Sequence, residues 1–232
     1  MCTVTFLPFD EGDFILTSSR DVPFVRKKAE EPQRYVENGT ELVYPRDGQA
    51  GGTWIGISDK KRLICLLNGG FKNHLQKDNY AKSRGIIVKD LLKAEDISLA
   101  CKEINLENVE PFTLVIVEWD FKLFLFEFVW DGTVKHLKIL PVEPRIWSSS
   151  TLYSDEMKEM RKEWFRNWIN EFEIKDLKFK IVKENILAFH HTAGTGNPEV
   201  DILMKRPNVG TVSITQVYRS GGKVKMKYEK IS

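Results

Sequence analysis

The chain has 232 residues, which suits one domain over residues 1–232 because single hydrophobic cores stop growing at about 250–300 residues. Its 35 basic and 33 acidic side chains leave a net charge of +2, so no strong field attracts nucleic acid and we expect no such partner. No apolar run approaches the roughly 18 residues that cross a bilayer, and we expect no membrane span.

The three cysteines indicate a reduced protein without a disulfide framework. Cys2, Cys65 and Cys101 are odd in number and show no Cys-x-x-Cys spacing, and the last two fit buried apolar positions. The start of the chain carries acidic residues but no Lys or Arg, unlike a secretory or mitochondrial presequence. We therefore expect a cytoplasmic protein.

Motifs for metals and cofactors are absent from the sequence. Gly194-Thr195-Gly196 lacks the lysine of a phosphate-binding loop and the rest of a dinucleotide fingerprint. His190 and His191 are predicted on a strand, where neighbouring side chains point to opposite faces, and the other histidines give no ligand spacing. We expect no cofactor and no metal site.

The first elements in the chain are predicted to be two strands of a hairpin. Alternating residues mark Cys2–Phe6, and a second strand covers Phe14–Thr17. The hairpin carries Ser18-Ser19-Arg20-Asp21 at its far end, which returns these residues to the region of the chain start. Residues 22–49 contain scattered prolines and paired charges, and this composition predicts a polar loop.

The middle of the chain predicts strands and two short helices. A glycine-punctuated strand covers residues 51–57, and a buried strand over residues 63–67 ends at Asn68-Gly69-Gly70. Helical spacing follows over 85–92 and 96–104. The next elements are three strands of an antiparallel meander over residues 112–117, 122–130 and 133–140.

The clearest helix is predicted over Asp155–Phe172, with Ser154 as its N-cap. Its apolar stripe is typical either of a partner-binding face or of packing on a sheet of the same fold, and we favour packing. A hairpin over residues 208–218 and 223–230 completes the chain. This order of elements predicts an α+β fold of antiparallel strands and segregated helices.

Cys2 carries the strongest chemical signal. A small side chain at the second position permits removal of Met1. The Cys2 thiol would then lie beside the α-amino group of the same residue. That amine has an intrinsic pKa of about 7.7–8.0, so it can accept the thiol proton near neutral pH and return it to a leaving amine. Nucleophile and base would then belong to one residue.

Arg20, Asp21 and Asn68 are the other candidate catalytic residues. A guanidinium stabilises a thiolate, a carboxylate can hold an α-amino group, and an amide at a strand end can donate to an oxyanion. Because Arg20 and Asp21 are predicted at a strand end, a structural ion pair there would contribute only about 0–1 kcal/mol. We therefore expect functional charges, and Asp21→Asn should leave the melting temperature nearly unchanged.

Several of these segments, in this order, resemble the NRDE family, which includes the transport-and-Golgi-organisation proteins. The matching segments are Met-Cys-Thr-Val at the start, Ser19-Arg20-Asp21, Gly-Gly-Thr-Trp-Ile-Gly-Ile-Ser over 51–58, Leu67-Asn68 and Ser83-Arg84-Gly85. The resemblance implies an αββα sandwich of two mainly antiparallel sheets, similar to N-terminal-nucleophile hydrolases such as choloylglycine hydrolases and penicillin acylases.

The chain departs from the family pattern at several positions. Ser19 and Val22 replace the Asn and Glu of the Asn-Arg-Asp-Glu motif. Ser149 stands where the family tends to have Asn, and Val212 where it tends to have Arg. In the related hydrolases these two positions resemble an oxyanion donor and an active-site cation, and loss of one oxyanion donor costs about a hundredfold to a thousandfold in rate.

Two functions remain open. The leading hypothesis is an amidohydrolase-like protein in which Cys2 attacks a linear amide or acyl substrate. The competing hypothesis is a carrier of an acyl chain, acyl-coenzyme A or haem on the same fold. With either function, the ligand is expected near Trp54, Asn68 and the segment from Trp147 to Ser149, because tryptophans supply apolar contact area.

Overall fold

A computed structural model of the protein describes residues 3–77, 79–171 and 178–231. The strands are β1 Thr3–Pro8, β2 Phe14–Pro23, β3 Glu30–Glu37, β4 Thr40–Arg46, β5 Ile55–Ser58, β6 Arg62–Asn68, β7 Phe112–Glu118, β8 Phe124–Trp130, β9 Lys135–Leu140, β10 Arg145–Ser148, β11 Val209–Ser220 and β12 Lys223–Lys230. The α-helices are α1 Arg84–Lys93, α2 Ile97–Glu103, α3 Asp155–Glu171 and α4 Phe179–Thr192. The predicted α+β class, with antiparallel strands, is confirmed.

The contacts group these elements into two compact units. The first unit comprises Met1–Arg26, Glu143–Ser148 and Leu152–Ser232, and the second comprises Lys27–Val142 and Ser149–Thr151. Each contains one antiparallel sheet and two of the helices. One domain over the whole chain stays a prediction.

The first unit is a five-stranded sheet with helices on one face. Its strand order is β10-β1-β2-β11-β12, with α3 against β10 and α4 against β2 and β11. Leu7 and Ile15, which face each other on β1 and β2, pack with Phe165, Trp168 and residues of α4 in one apolar cluster. The stripe of α3 is therefore a core face, as the sequence predicts, and the Ser154 hydroxyl accepts from the Met157 backbone N–H at 3.3 Å.

The second unit is a seven-stranded sheet in the order β3-β4-β5-β6-β7-β8-β9. Its central strand β6 is buried along its apolar run, as predicted, and α1 packs on β5 and β6. Arg62 is 1% exposed and donates from Nη1 to the backbone carbonyls of Leu91 and Ala94 at 2.8 and 2.6 Å. It thereby adds a donor to carbonyls at the C-terminus of α1; the Leu91 carbonyl also accepts from the Ala94 N–H at 3.3 Å.

The predicted polar loop over residues 22–49 is wrong, because that region forms the hairpin of β3 and β4. Asn38 and Gly39 turn it with φ angles of 51° and 78°, the left-handed geometry of a tight hairpin. β3 is an edge strand with mostly exposed side chains, so it lacks the apolar alternation that reveals a strand.

Three further predictions about elements are corrected. The strand predicted over 51–57 begins only at Ile55; Gly52 instead approaches Gly85 so closely that a Cβ on it would lie 2.5 Å from the Gly85 carbonyl carbon. His190 and His191 lie in the last turn of α4 and not on a strand. β2 continues to Pro23, so Arg20 and Asp21 lie within a strand. No helix in the described ranges is long and apolar enough to cross a membrane.

Candidate functional site

The start of β1 lies between two strands that carry candidate residues. Thr3 pairs with Ser19 on β2 and with Ser148 on β10. Cys2 precedes Thr3 in the chain and lies outside the described residues, so its predicted role stays a prediction. β2 therefore brings Arg20 and Asp21 to within two residues of the position opposite Thr3.

Asp21 is held by two hydroxyl groups inside the first unit. The Tyr153 hydroxyl donates to Oδ2 at 2.5 Å, and the Thr211 hydroxyl donates to Oδ1 at 2.6 Å. The residue is 1% exposed. The exposed strand end predicted for this carboxylate is therefore wrong: β2 continues beyond Asp21, its backbone pairs with β11 there, and Tyr153 and Thr211 contact the carboxylate.

Arg20 is also buried, at 3% exposure, but on the opposite face of β2. Successive side chains of a strand alternate between faces, so Arg20 shares a face with Ser18, and Asp21 with Ser19. The backbone of Arg20 and Asp21 lies near the start of β1, as predicted. Their side chains, however, lie on opposite faces of the sheet.

The bulge in β11 fixes Thr211 and displaces the residue after it. The pairing with β2 shifts between Thr211 and Ser213, leaving Val212 as the extra residue. The backbone N–H of Met204 donates to the Thr211 hydroxyl at 3.0 Å, and that of Thr211 donates to the Met204 carbonyl at 2.8 Å. Thr211 is thus fixed as a donor to Asp21.

Asn68 and Ser149 are brought together in the second unit. The Ser149 hydroxyl, 1% exposed, donates to the Asn68 backbone carbonyl at 2.7 Å. Gly69 follows with a φ of 84°, and a Cβ there would lie 2.2 Å from Ser150 Oγ, so only glycine fits this turn. The Gly69 N–H also donates to the Pro111 carbonyl at 3.0 Å.

Asn68 and Ser149 differ in whether their side chains can donate a hydrogen bond to an oxyanion. Ser149 has one hydroxyl proton, and the Asn68 carbonyl accepts it, so Ser149 does not supply the amide donor that its position has in the family pattern. The Asn68 side chain makes no hydrogen bond within the described ranges, and its backbone is fixed on both sides. Asn68 is therefore the better candidate for an oxyanion donor.

The two predicted ligand-contacting tryptophans differ in exposure. Trp54 is only 3% exposed in the second unit, where its carbonyl accepts from the Leu66 N–H at 2.8 Å. Trp147 is half-buried on β10 and pairs with Val4. Their predicted roles in ligand binding stay predictions, and the burial of Trp54 leaves it little area to offer a ligand.

Arg161 and His190 are buried polar residues of the first unit whose contacts the sequence did not predict. Both are 0% exposed. Arg161 is four residues from both Met157 and Phe165, so it lies on the apolar stripe of α3. A charged residue on such a stripe is a signal that could have identified it. His190 gave no such signal, because α4 was not predicted.

His190 joins β1 and β2 as a neutral imidazole. Its Nε2 lies 2.9 Å from Thr5 Oγ1, and its Nδ1 lies 2.8 Å from Ser19 Oγ. Burial is the main cause that lowers the pKa of His190 to about 3, and the neighbouring His191 and Arg161 contribute to this shift. The ring therefore stays uncharged across the neutral range.

Acid should destabilise the protein through His190. An unfolded histidine has a pKa of about 6.5, so below that pH the unfolded chain binds a proton that the folded chain excludes. This contribution to stability is complete above pH 6.5 and falls by about 1.4 kcal/mol per unit as the pH drops towards 3. We expect His190→Gln to flatten this slope in urea unfolding measured between pH 7 and 4.

His191→Gln is the matched control, because His191 is partly exposed and contacts Glu229 at 3.2 Å. It should leave the acid slope in place. An equally steep slope in the His190→Gln variant would contradict the assignment.

Cys65 and Cys101 are buried free thiols, as predicted. Burial raises the pKa of Cys101 to about 12, which suppresses its thiolate. We expect iodoacetamide at pH 7 to modify Cys2 in the folded protein and to leave these two untouched until urea is added, as peptide mass spectrometry would show. Equal modification of all three cysteines without urea would contradict this expectation.

The described residues include no group of three or more His, Cys, Asp or Glu side chains that could hold a metal ion. The candidate groups of the first unit are hydroxyl, carboxylate and guanidinium groups, and the candidate group of the second unit is the Asn68 amide. Such groups can orient an amine and stabilise an oxyanion.

Comparison with known proteins gives a family match across most of the sequence. The profile of the family described as Transport and Golgi organisation 2 matches residues 1–207. No curated protein matches the sequence. The family resemblance inferred from the first 90 residues is therefore confirmed over a longer stretch.

Solved structures similar to this chain include several hydrolases. An N-acylethanolamine-hydrolyzing acid amidase ortholog of Caenorhabditis elegans has 12% identity and a TM-score of 0.64, over 93% of this chain and 92% of that chain. The conjugated bile acid hydrolase of Clostridium perfringens, in a variant whose cysteine at position two is alanine, has 8% identity and a TM-score of 0.57, over 100% and 92%. Penicillin V acylase of Agrobacterium tumefaciens has 8% identity and a TM-score of 0.52, over 99% and 86%. At these identities the similarity establishes the fold of N-terminal-nucleophile hydrolases.

Proposed function

Because the chain belongs to the Transport and Golgi organisation 2 family and has the fold of N-terminal-nucleophile hydrolases, we propose that it cleaves a linear acyl amide with Cys2 as nucleophile. The similar structures include an amidase, a bile acid hydrolase and an acylase, and the bile acid hydrolase also has cysteine at position two. The proposal requires removal of Met1, which frees the α-amino group of Cys2.

The first half of the reaction forms a thioester. The neutral α-amino group accepts the thiol proton while Cys2 Sγ bonds to the carbonyl carbon of the substrate. The tetrahedral intermediate then breaks its carbon–nitrogen bond, and the ammonium group returns the proton to the leaving amine. In the second half, water attacks the thioester, the α-amino group takes a proton from that water, and the released thiolate is reprotonated.

Asp21, Arg20 and Asn68 have separate roles in this proposal. Asp21 orients the α-amino group, Arg20 favours the thiolate, and the Asn68 amide donates to the oxyanion. Because the side chains of Arg20 and Asp21 lie on opposite faces of β2, they cannot contact the same group from the same side. The role of each residue therefore requires a separate substitution.

One observation carries the proposal: Asp21, two residues beyond the partner of Thr3, is buried and held by two hydroxyl donors. Burying a carboxylate is costly unless it is hydrogen-bonded, and a carboxylate offers about four acceptor sites. This arrangement fixes both carboxylate oxygens two residues beyond the position opposite Thr3, where the negative charge can orient a cation such as an ammonium group.

The proposal is tested by intact mass and by trapping the thioester. Loss of Met1 should be complete in the purified protein, and brief incubation with acyl p-nitroanilides of increasing chain length should add the mass of one acyl group to Cys2. The adduct should disappear on treatment with hydroxylamine, which cleaves thioesters. Retention of Met1 would remove the proposed base and overturn the mechanism.

The second candidate function, a carrier, is favoured by Ser149 and Val212. The Ser149 hydroxyl donates to Asn68, and Val212 offers no cation, so two aids to catalysis in the related hydrolases are absent here. A carrier would bind fatty acyl-coenzyme A or haem and quench tryptophan fluorescence saturably, equally well after Cys2→Ala. Saturable quenching without any acyl adduct would favour this function.

A further inference from the structure

Arg161 is a fully buried guanidinium on α3 that contacts the beginning of β1. Its Nη1 donates to Thr3 Oγ1 at 2.6 Å, and its Nη2 donates to the backbone carbonyls of Val200 and Asp201 at 3.0 and 2.7 Å. The guanidinium carbon lies 3.5 Å from the centre of the Tyr153 ring. One side chain therefore ties α3 to the first residue of β1, to the turn before β11 and to Tyr153.

The charge of Arg161 is expensive to bury. An ion taken out of water costs several kcal/mol unless its partners replace the lost hydration. No carboxylate pairs with Arg161 within the described ranges, and its Nε has no hydrogen-bond partner there. Neutral acceptors and an aromatic face are the only compensation that these contacts provide. A purely structural position would be filled at lower cost by an apolar residue such as its stripe neighbours Met157 and Phe165.

Arg161 contacts the neighbours of two residues that have roles in the proposed function, Cys2 and Asp21. Thr3 is bonded to Cys2, and its buried hydroxyl accepts from Arg161. Tyr153 has the Arg161 cation on its ring and donates its hydroxyl to Asp21 at 2.5 Å. A cation over the ring withdraws electron density from the phenol, which strengthens its hydroxyl as a donor.

We propose that Arg161 is a positioning residue for the nucleophile: it fixes the start of β1 through Thr3, and the donor to Asp21 through Tyr153. This inference rests on the proposed function. Within the described residues, Arg161 donates to Thr3, Val200 and Asp201 and to none of the residues with a proposed chemical role. Its effect passes through residues that adjoin Cys2 and Asp21.

The test compares Arg161→Lys and Thr3→Val with the native protein. Lysine keeps the charge and loses the forked geometry, whereas valine keeps the shape of threonine and removes the hydroxyl group that accepts from Arg161. The first readout is the pH dependence of Cys2 alkylation by iodoacetamide. In the native protein its midpoint should lie below the ordinary thiol value of about 8.5, and both variants should raise it by about one unit. The second readout is hydrogen exchange in the peptide that begins β1, which both variants should accelerate.

Phe165→Leu is the matched control, because it weakens the packing of α3 without touching Thr3 or Tyr153. It should lower the melting temperature and leave both readouts at their native values. Thr3→Val keeps the test valid where Arg161→Lys fails to fold.

The outcomes separate the inference from the proposed function. Native alkylation profiles and native exchange in both variants would overturn the role of Arg161, whatever their melting temperatures. An ordinary thiol midpoint in the native protein would overturn the proposed catalysis. In that event, faster exchange in both variants but not in Phe165→Leu would still support positioning of the chain start by Arg161.

Discussion

Replacing Cys2 with alanine is expected to abolish hydrolysis of acyl amides, with a fall in kcat of about a thousandfold or more. The thiol is the only group in the proposed mechanism that forms a bond to the substrate, so no other residue can replace it. The measurement is release of p-nitroaniline under saturating substrate. The variant should keep the native melting temperature, because the change adds no buried polar group.

Cys2→Ser gives this experiment a second arm. Serine keeps the free α-amino group and the small side chain, but a hydroxyl is a weaker nucleophile than a thiol. Activity should fall strongly in Cys2→Ser and disappear in Cys2→Ala, while ligand binding survives in both. Equal hydrolysis by the native protein and Cys2→Ala would contradict cysteine catalysis.

Replacing Asp21 with asparagine is expected to impair both the stability and the reactivity of the protein. The new amide nitrogen cannot accept from the hydroxyl of Tyr153 or Thr211, so one buried donor loses its acceptor, at a cost of about 1–3 kcal/mol. The loss of charge also removes the proposed partner of the α-amino group, and we expect Cys2 alkylation at pH 7 to slow by about tenfold. Urea unfolding and alkylation kinetics measure the two effects. The stability loss replaces the expectation from sequence, which assumed an exposed charge.

Asp47→Asn is the matched control for Asp21→Asn. Asp47 is 7% exposed in the second unit and accepts from the backbone N–H groups of Gln49 and Ala50 at 3.1 and 2.8 Å. Its substitution should lower stability and leave Cys2 alkylation unchanged. If Asp21→Asn only lowers stability, Asp21 is a structural residue.

Elements with strong local periodicity could be predicted from the sequence. The continuous apolar run of β6 and the stripe of α3 depend on residues a few positions apart, so each segment contains its own signal. β3 could not be recognised in this way, because its edge position leaves both faces polar. Its only clear signal was the Asn38-Gly39 turn.

Only the part of the site that depends on neighbouring segments of the chain could be predicted from the sequence. The hairpin of β1 and β2 brings Ser19 opposite Thr3 through local pairing, so the sequence places Arg20 and Asp21 near the chain start. The burial of Asp21 depends on Tyr153 and Thr211, which are more than a hundred positions away. Such contacts leave no periodic signal. The contacts of Arg161 leave none either, although its position on the apolar stripe of α3 could be seen in the sequence.

The division of the chain has a consequence for its biosynthesis. The second unit is nearly continuous, with Lys27–Val142 supplying all but three of its residues, whereas the first unit needs both ends of the chain. At about 5–20 residues per second, a ribosome needs roughly 4–16 s to add the residues between Val142 and the end of β11 at Ser220. During that interval β2 has β1 on one side, but β11, its partner on the other, has not yet been synthesised. The hairpin of β1 and β2 is therefore synthesised well before β11, the strand that completes the pairing of β2.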